Sequence, residues 1–364
     1  MLVGCNGFFT SGSTTPGTTG FVYVLNQNTG GIGSISAYLA DAATGDLTPL
    51  LNSPTGAGST PNSIAADRLG RFVYASNQGG GINGFLVSQN TNTLGQLTST
   101  GAATPTKANP VAIAVDPSAR AVYAVEPGPQ VEVFAITLAT GVLTAPASPA
   151  SLSPPAAIGI SPTSVTVAAS GTFLFVGMAD GSILSLPINA DGTLKTAAIV
   201  STPPLSGIQT VSSLTATPTV RFLYAVDGTT QSLQNLSAYA IDSSTGALTA
   251  VSATPFQAGL GPVGVAVDAR SLFVFTANEG SNNVSAFTIG GNGTLGVVLN
   301  SPFGVSATTP VAVAVDPSGN FLYVANKGSN TVSSFVILGN GVLTPSLAPS
   351  AITGTAPVAV VAVP

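Results

Sequence analysis

One phrase recurs seven times along this chain, and that recurrence leaves few architectures open. Aligned on an aromatic residue, the copies are Phe21-Val22-Tyr23-Val24, Phe72-Val73-Tyr74-Ala75, Ala121-Val122-Tyr123-Ala124, Phe173-Leu174-Phe175-Val176, Phe222-Leu223-Tyr224-Ala225, Phe273-Val274-Phe275-Thr276 and Phe321-Leu322-Tyr323-Val324. Their spacings are 51, 49, 52, 49, 51 and 48 residues. Short apolar runs separated by Gly-rich turns at such a period cannot bury their own faces singly, so the copies must stack. The expectation is an all-β fold, a seven-bladed β-propeller.

Each repeat has four parts. An apolar run ends in a turn, as in Pro310-Val311-Ala312-Val313-Ala314-Val315-Asp316-Pro317-Ser318-Gly319. The aromatic run follows, then an alternating run such as Val332-Ser333-Ser334-Phe335-Val336-Ile337. A Gly-x-Leu signal opens the fourth part, at Gly45, Gly95, Gly141, Gly192, Gly246, Gly293 and Gly341. Val, Ile, Phe and Tyr fill the runs, and Gly, Pro, Asn and Asp separate them, which is strand chemistry. No apolar pattern of period 3.6 is long enough for a core helix.

The chain ends dictate closure. Copies two to seven each follow a first-type run, at 61–67, 110–116, 162–168, 212–217, 262–268 and 310–316. Copy one has none, and a seventh such run, Pro357-Val358-Ala359-Val360-Val361-Ala362-Val363, sits at the C-terminus. The expectation is that this strand completes the first blade beside residues 21–25, removing an open sheet edge. The propeller then spans 21–364, after a lipobox-like start and linker at 1–20.

Composition excludes several functions. The chain has 42 Gly and 27 Pro, but only 8 basic and 13 acidic residues. A net charge of −5 and scattered Arg and Lys argue against nucleic acid. Mean hydropathy is +0.49, yet no apolar run reaches the ~18 residues of a membrane helix. The single cysteine follows Leu2-Val3-Gly4, as in a bacterial lipobox, and a Gly/Ser/Thr stretch extends from Asn6 to Gly20. This pattern predicts an upstream signal sequence, lipidation of Cys5 and a cell-envelope protein. Asn6, in place of the Asp associated with inner-membrane retention, points to the outer membrane. The membrane is then touched only through the lipid.

There is no histidine. That removes Ser-His-Asp and Cys-His pairs, His-containing zinc sites and the commonest general base. The carboxylates that remain fall at repeat-specific places. Asp67, Asp116, Asp268 and Asp316 open Asp-Pro-Ser-type turns and read as acceptors of turn N–H groups. Arg71, Arg120, Arg221 and Arg270 follow those turns and read as solvated charges on the same face. Three residues after each aromatic anchor stands a second ring: Asn26, Asn77, Glu126, Met178, Asp227, Asn278 and Asn326. Asp180, Glu279, Lys107 and Lys327 lie in neighbouring loops. Turn capping and ligand binding are both open readings of this ring. The binding reading predicts that Asn26, Asn77, Glu126, Asp227, Asn278 and Asn326 line the functional mouth, away from the Asp-Pro turns. It needs no cofactor; calcium would fit if Glu126 and Asp227 converge near the axis.

Tyr323-Val324-Ala325-Asn326, preceded by Ala314-Val315-Asp316-Pro317-Ser318-Gly319, resembles the Y-V-x-N repeat of bacterial surface propellers. With the Gly-x-Leu signal and the period, the chain over 21–364 is similar to the lactonase family of seven-bladed propellers, which includes 6-phosphogluconolactonases. The resemblance implies a central-cleft lactone hydrolase using acidic and basic residues, histidine among them. This chain lacks the histidine and any evident cationic cluster for a sugar phosphate, so no catalytic residue carries over. Two functions stand as expectations: a monomeric envelope propeller binding a small molecule, glycan or protein through one face, and a lactone hydrolase working without histidine.

Overall fold

The computed structural model describes residues 18–28, 30–128, 130–144, 150–151, 160–195, 199–229 and 234–364. Cys5 and the lipobox-like start lie outside the described residues. Seven antiparallel sheets form the blades of a propeller. In the last blade, Pro310–Val315 is innermost, followed by Phe321–Asn326, Thr331–Ile337 and Leu343–Pro345. The innermost strands touch one another in blade order and return from blade 7 to blade 1, so the ring is closed.

Closure runs through the C-terminal strand, Pro357–Val363. It pairs antiparallel with Thr18–Asn26, with Phe21 opposite Val363 and Val24 opposite Val360. The first blade is therefore composite, as the end runs require.

The aromatic run is apolar at successive positions because the second strand is covered on both faces. Residues 72–77, 121–126, 173–178, 273–278 and 321–326 are buried throughout. Odd and even positions face different neighbours. Tyr23 and Leu25 pack with Val73 and Ala75 of blade 2, whereas Val22 and Val24 pack with Phe321 and Tyr323 of blade 7. The core is thus divided into wedges between adjacent blades.

Four of the wedges are tied through the Gly of the Gly-x-Leu signal. Tyr23, Tyr74, Tyr123 and Tyr224 donate their buried hydroxyls to the carbonyls of Gly95, Gly141, Gly192 and Gly293 in the next blade, at 2.7–3.1 Å. These glycines have positive φ, and a Cβ on Gly95 would lie 2.2 Å from the Phe21 ring. Only Gly meets both demands. Blade 3 has Ala121 where others have Phe, and there Arg120 reaches across instead. Its guanidinium donates to Asn189, Ala190 and Gly171 carbonyls of blade 4.

The outermost strand departs from a plain fourth strand. In blade 1 it comes in two pieces, Leu47–Pro49 and Thr55–Ser59, both paired with Ile32–Asp41. At the break Ser53 Oγ accepts from Ala37 N at 2.8 Å; Thr254 and Ser301 serve Ala238 and Ala286 alike. A hydroxyl thus replaces a ladder carbonyl just before a proline that cannot donate. In blade 4 the signal fails to start the strand: Leu194 makes one bridge to Ile188, and the outer strand is Val200–Thr202.

Candidate functional site

Seven innermost strands surround an axial channel. Val, Ala and Thr from these strands make most of its wall near the Asp-turn end, although the strands also carry polar residues such as Asn62, Ser63, Thr163 and Ser164. At the mouth bearing the Asp turns the channel opens into a cavity of about 670 Å³. Val115, Thr215, Val265, Val267, Val361 and Val363 are among its lining residues. The titratable residues lining it are Asp67, Arg68, Arg270 and Asp316, all from the turns at its rim.

Two of those carboxylates are already committed. Asp67 accepts from Arg71 N at 2.6 Å, Arg71 Nε at 2.8 Å and Phe72 N at 2.8 Å. Asp316 accepts from the backbone N–H groups of Ser318, Asn320 and Phe321 at 2.7–2.9 Å. Both are buried. Such carboxylates hold turns, with their oxygens taken up by N–H groups. Thr217 makes the same contacts through its hydroxyl to Arg221 N and Phe222 N.

The arginines differ from the expected solvated charges. Arg71, Arg120 and Arg270 pair with Asp67, Asp116 and Asp268 at 2.8, 2.6 and 3.1 Å. The tight turn brings each guanidinium back over its own acid. Hydrogen bonding to Asp116 holds the Arg120 guanidinium above its ordinary pKa. Arg270 also donates to Gly319 O at 2.8 Å. Arg221 has no acid in its turn and donates to Gly291 O instead.

The second ring sits at the other end of the blades, and its side chains turn inward. Asn26, Glu126, Met178, Asp227, Asn278 and Asn326 are fully buried, and Asn77 is 3 % exposed. Asn26 Nδ2 donates to Ser36 Oγ at 3.0 Å, and Asn77 Nδ2 to Asn83 Oδ1 at 2.8 Å. Asn278 and Asn326 donate to Ser285 and Ser333 hydroxyls, each at 2.9 Å. Asp227 accepts from Gln209 N at 2.7 Å and Thr229 N at 2.9 Å. Glu126 Oε2 accepts from Ala108 N at 3.2 Å.

The connections between blades pass over these groups. A Cβ on Gly58, Gly259 or Gly354 would come within 2.7, 2.6 and 2.9 Å of the Asn77, Asn278 and Asn26 side chains. Asn26, Asn77, Glu126, Asp227 and Asn278 thus lie buried beneath the incoming connections of their own blades. A polar side chain at a buried strand end takes the nearest partners, which lie across the sheet. Glu126 and Asp227 share no hydrogen-bond partner. Among the described residues no three acidic, histidine or cysteine side chains stand together. Asp180 accepts from Ser182 N and Oγ, closing its own turn.

Sequence reasoning passed over Glu132, which lies beside Glu126. The signal available was a carboxylate at an inward position of the alternating third run. It also passed over Arg68, an exposed residue at the cavity rim.

The family described as lactonase, 7-bladed beta-propeller, matches residues 74–357. Among solved structures, a candidate 6-phosphogluconolactonase from Bacteroides fragilis superposes with a TM-score of 0.74 at 19% identity, over 96% of this chain and 98% of that one. A second, from Bacteroides uniformis, gives 0.73 at 18%, over 93% and 98%. The periplasmic gluconolactonase of Pseudomonas aeruginosa gives 0.70 at 21%, over 94% and 100%. No curated protein matches the sequence.

Proposed function

Because this chain belongs to the lactonase family of seven-bladed propellers, we propose that it uses the family scaffold as a binding protein rather than a hydrolase. The ligand is a compact molecule with an apolar body and one anionic group, seated in the cavity at the Asp-turn mouth. The observation that carries this reading is the cavity wall, where Val, Ala and Thr stand and titratable groups appear only at the rim. A volume near 670 Å³ suits a small molecule. Arg68, exposed at the rim, supplies attraction for an anion. Lactone hydrolysis needs a base within hydrogen-bond reach of water and donors aimed at the oxyanion. Asp67 and Asp316, the rim carboxylates, spend their oxygens on turn N–H groups and, at Asp67, on Arg71. Leu2-Val3-Gly4-Cys5 and the polar linker support an envelope location, with the propeller tethered through lipidated Cys5.

The test uses anilinonaphthalene sulfonate, an apolar anion, as the probe. Saturable binding to the purified propeller, lost in Val265→Trp and weakened in Arg68→Ala, is expected. A parallel panel of aldonolactones should show no turnover above the uncatalysed rate. Binding unaffected by both substitutions refutes the site, and turnover that depends on the protein refutes the non-catalytic reading.

A further inference from the structure

Blade 3 breaks a rule that four other blades keep. Where the second strand ends, its last side chain meets the residue diagonally across on the third strand. An amide donates to an oxygen in the pairs Asn26–Ser36, Asn77–Asn83, Asn278–Ser285 and Asn326–Ser333. In blade 3 the same two places hold Glu126 and Glu132. Register fixes this juxtaposition: Glu132 lies opposite Ala124, so it shares a sheet face with Glu126. The two are 0 % and 3 % exposed.

Two ionised carboxylates in one dry site repel, and neither is solvated. Among the described residues no Lys or Arg side chain pairs with either. Of the elements packed on the pair, the 104–110 connection contributes Lys107, which is exposed and reaches Glu132 Oε2 through its backbone N–H at 3.1 Å. Ala108 N, next along, reaches Glu126 Oε2. On the facing strand of blade 2 the titratable group is Tyr74, whose hydroxyl is bonded to Gly141 O. Tyr123 on the Glu126 strand faces blade 4. Glu126 Oε1 is buried without a hydrogen-bond partner. Burial first, then the Glu132 charge, raise the Glu126 carboxyl to about 7.

We propose that Glu126 and Glu132 share one proton, and that this proton latches the 106–108 connection over the interface of blades 2 and 3. With the proton present, one carboxyl donates an O–H···O⁻ bond to the other, and the pair accepts the Lys107 and Ala108 N–H groups. When the proton passes to bulk water, two buried carboxylates remain. They separate toward solvent, and both N–H contacts loosen. The connection leads into Ala112–Val115, where Asn62 Nδ2 holds Pro110 O at 2.6 Å, so loosening acts at the channel end opposite the cavity. The sign follows from the raised carboxyl. Its stabilisation is full below the ordinary value of 4.5 and is lost as pH rises through about 7.

Amide hydrogen exchange of Lys107 and Ala108, corrected for intrinsic base catalysis, reads the latch. Between about pH 6 and about pH 8.5 their protection should fall by roughly tenfold in the wild type. In Glu126→Gln, an amide–carboxylate pair like those of the other blades, it should stay level. Level protection in the wild type, or an unchanged fall in Glu126→Gln, overturns the proposal. Glu132→Gln serves as the second variant. Carboxyl carbon resonances of the wild type decide independently of either variant: one of the pair should titrate near neutrality, and completion of both by about pH 5 refutes the shared proton.

Discussion

Replacing Gly95 by Ala tests how the blades are locked together. Gly95 has φ +76°, and a Cβ there would sit 2.2 Å from the Phe21 ring. Two costs are therefore added. The left-handed backbone costs an Ala about 1–2 kcal/mol. Forcing a methyl into the Phe21 contact costs about 1–3 kcal/mol more, because a packed core yields only by shifting rings or backbone. Gly30 separates the terms: its φ is +83°, but nothing lies within 4 Å of its Cβ position. Gly30→Ala should show the backbone cost alone. Gly192 is intermediate, with φ +89° and its nearest atom, Arg120 Cβ, at 3.2 Å, since Ala121 replaces the aromatic ring. Urea unfolding followed by circular dichroism should rank the three Gly95 > Gly192 > Gly30 in lost stability, with m unchanged. In a double-mutant cycle, Phe21→Ala should relieve the steric part of Gly95→Ala. If Gly95→Ala costs no more than Gly30→Ala, the inter-blade contact is not what selects glycine at this position.

Two further outcomes are expected. Arg120→Lys should lose about 1.5–3 kcal/mol in the same urea assay, because an ammonium cannot span Asp116 and three carbonyls of blade 4; an unchanged midpoint would remove Arg120 from the lock. Deleting 357–363 leaves the inner edge of the Thr18–Asn26 strand unpaired, so the shortened chain should lose its cooperative unfolding transition and become sensitive to limited proteolysis; a wild-type midpoint would contradict closure through this strand.

The architecture was legible because burial on both faces writes itself locally. A second strand wedged between two blades must be apolar at every position, as in Phe321-Leu322-Tyr323-Val324, and the Gly of each Gly-x-Leu signal answers a positive φ. The surplus run at 357–363 and the missing one before Phe21 identified the composite blade. The acceptor role of Asp316 and its equivalents was also readable, since an Asp at a turn start bonds N–H groups two to five residues away.

The functional geometry was decided at longer range. Repeat position placed Asn26, Asn77 and Asn326 at equivalent strand ends, but strand alternation does not say which face meets a neighbouring blade. Packing turned these amides inward, under connections arriving from the preceding blade. The same packing set Glu132 against Glu126 through a hairpin register, a relation between two strands rather than within one. Which mouth holds the cavity depends on how seven innermost strands converge and which loops cross their ends. Local sequence encodes the strand and its turn; the facing of side chains, the pairing of buried charges and the open mouth arise only when seven copies close on one another.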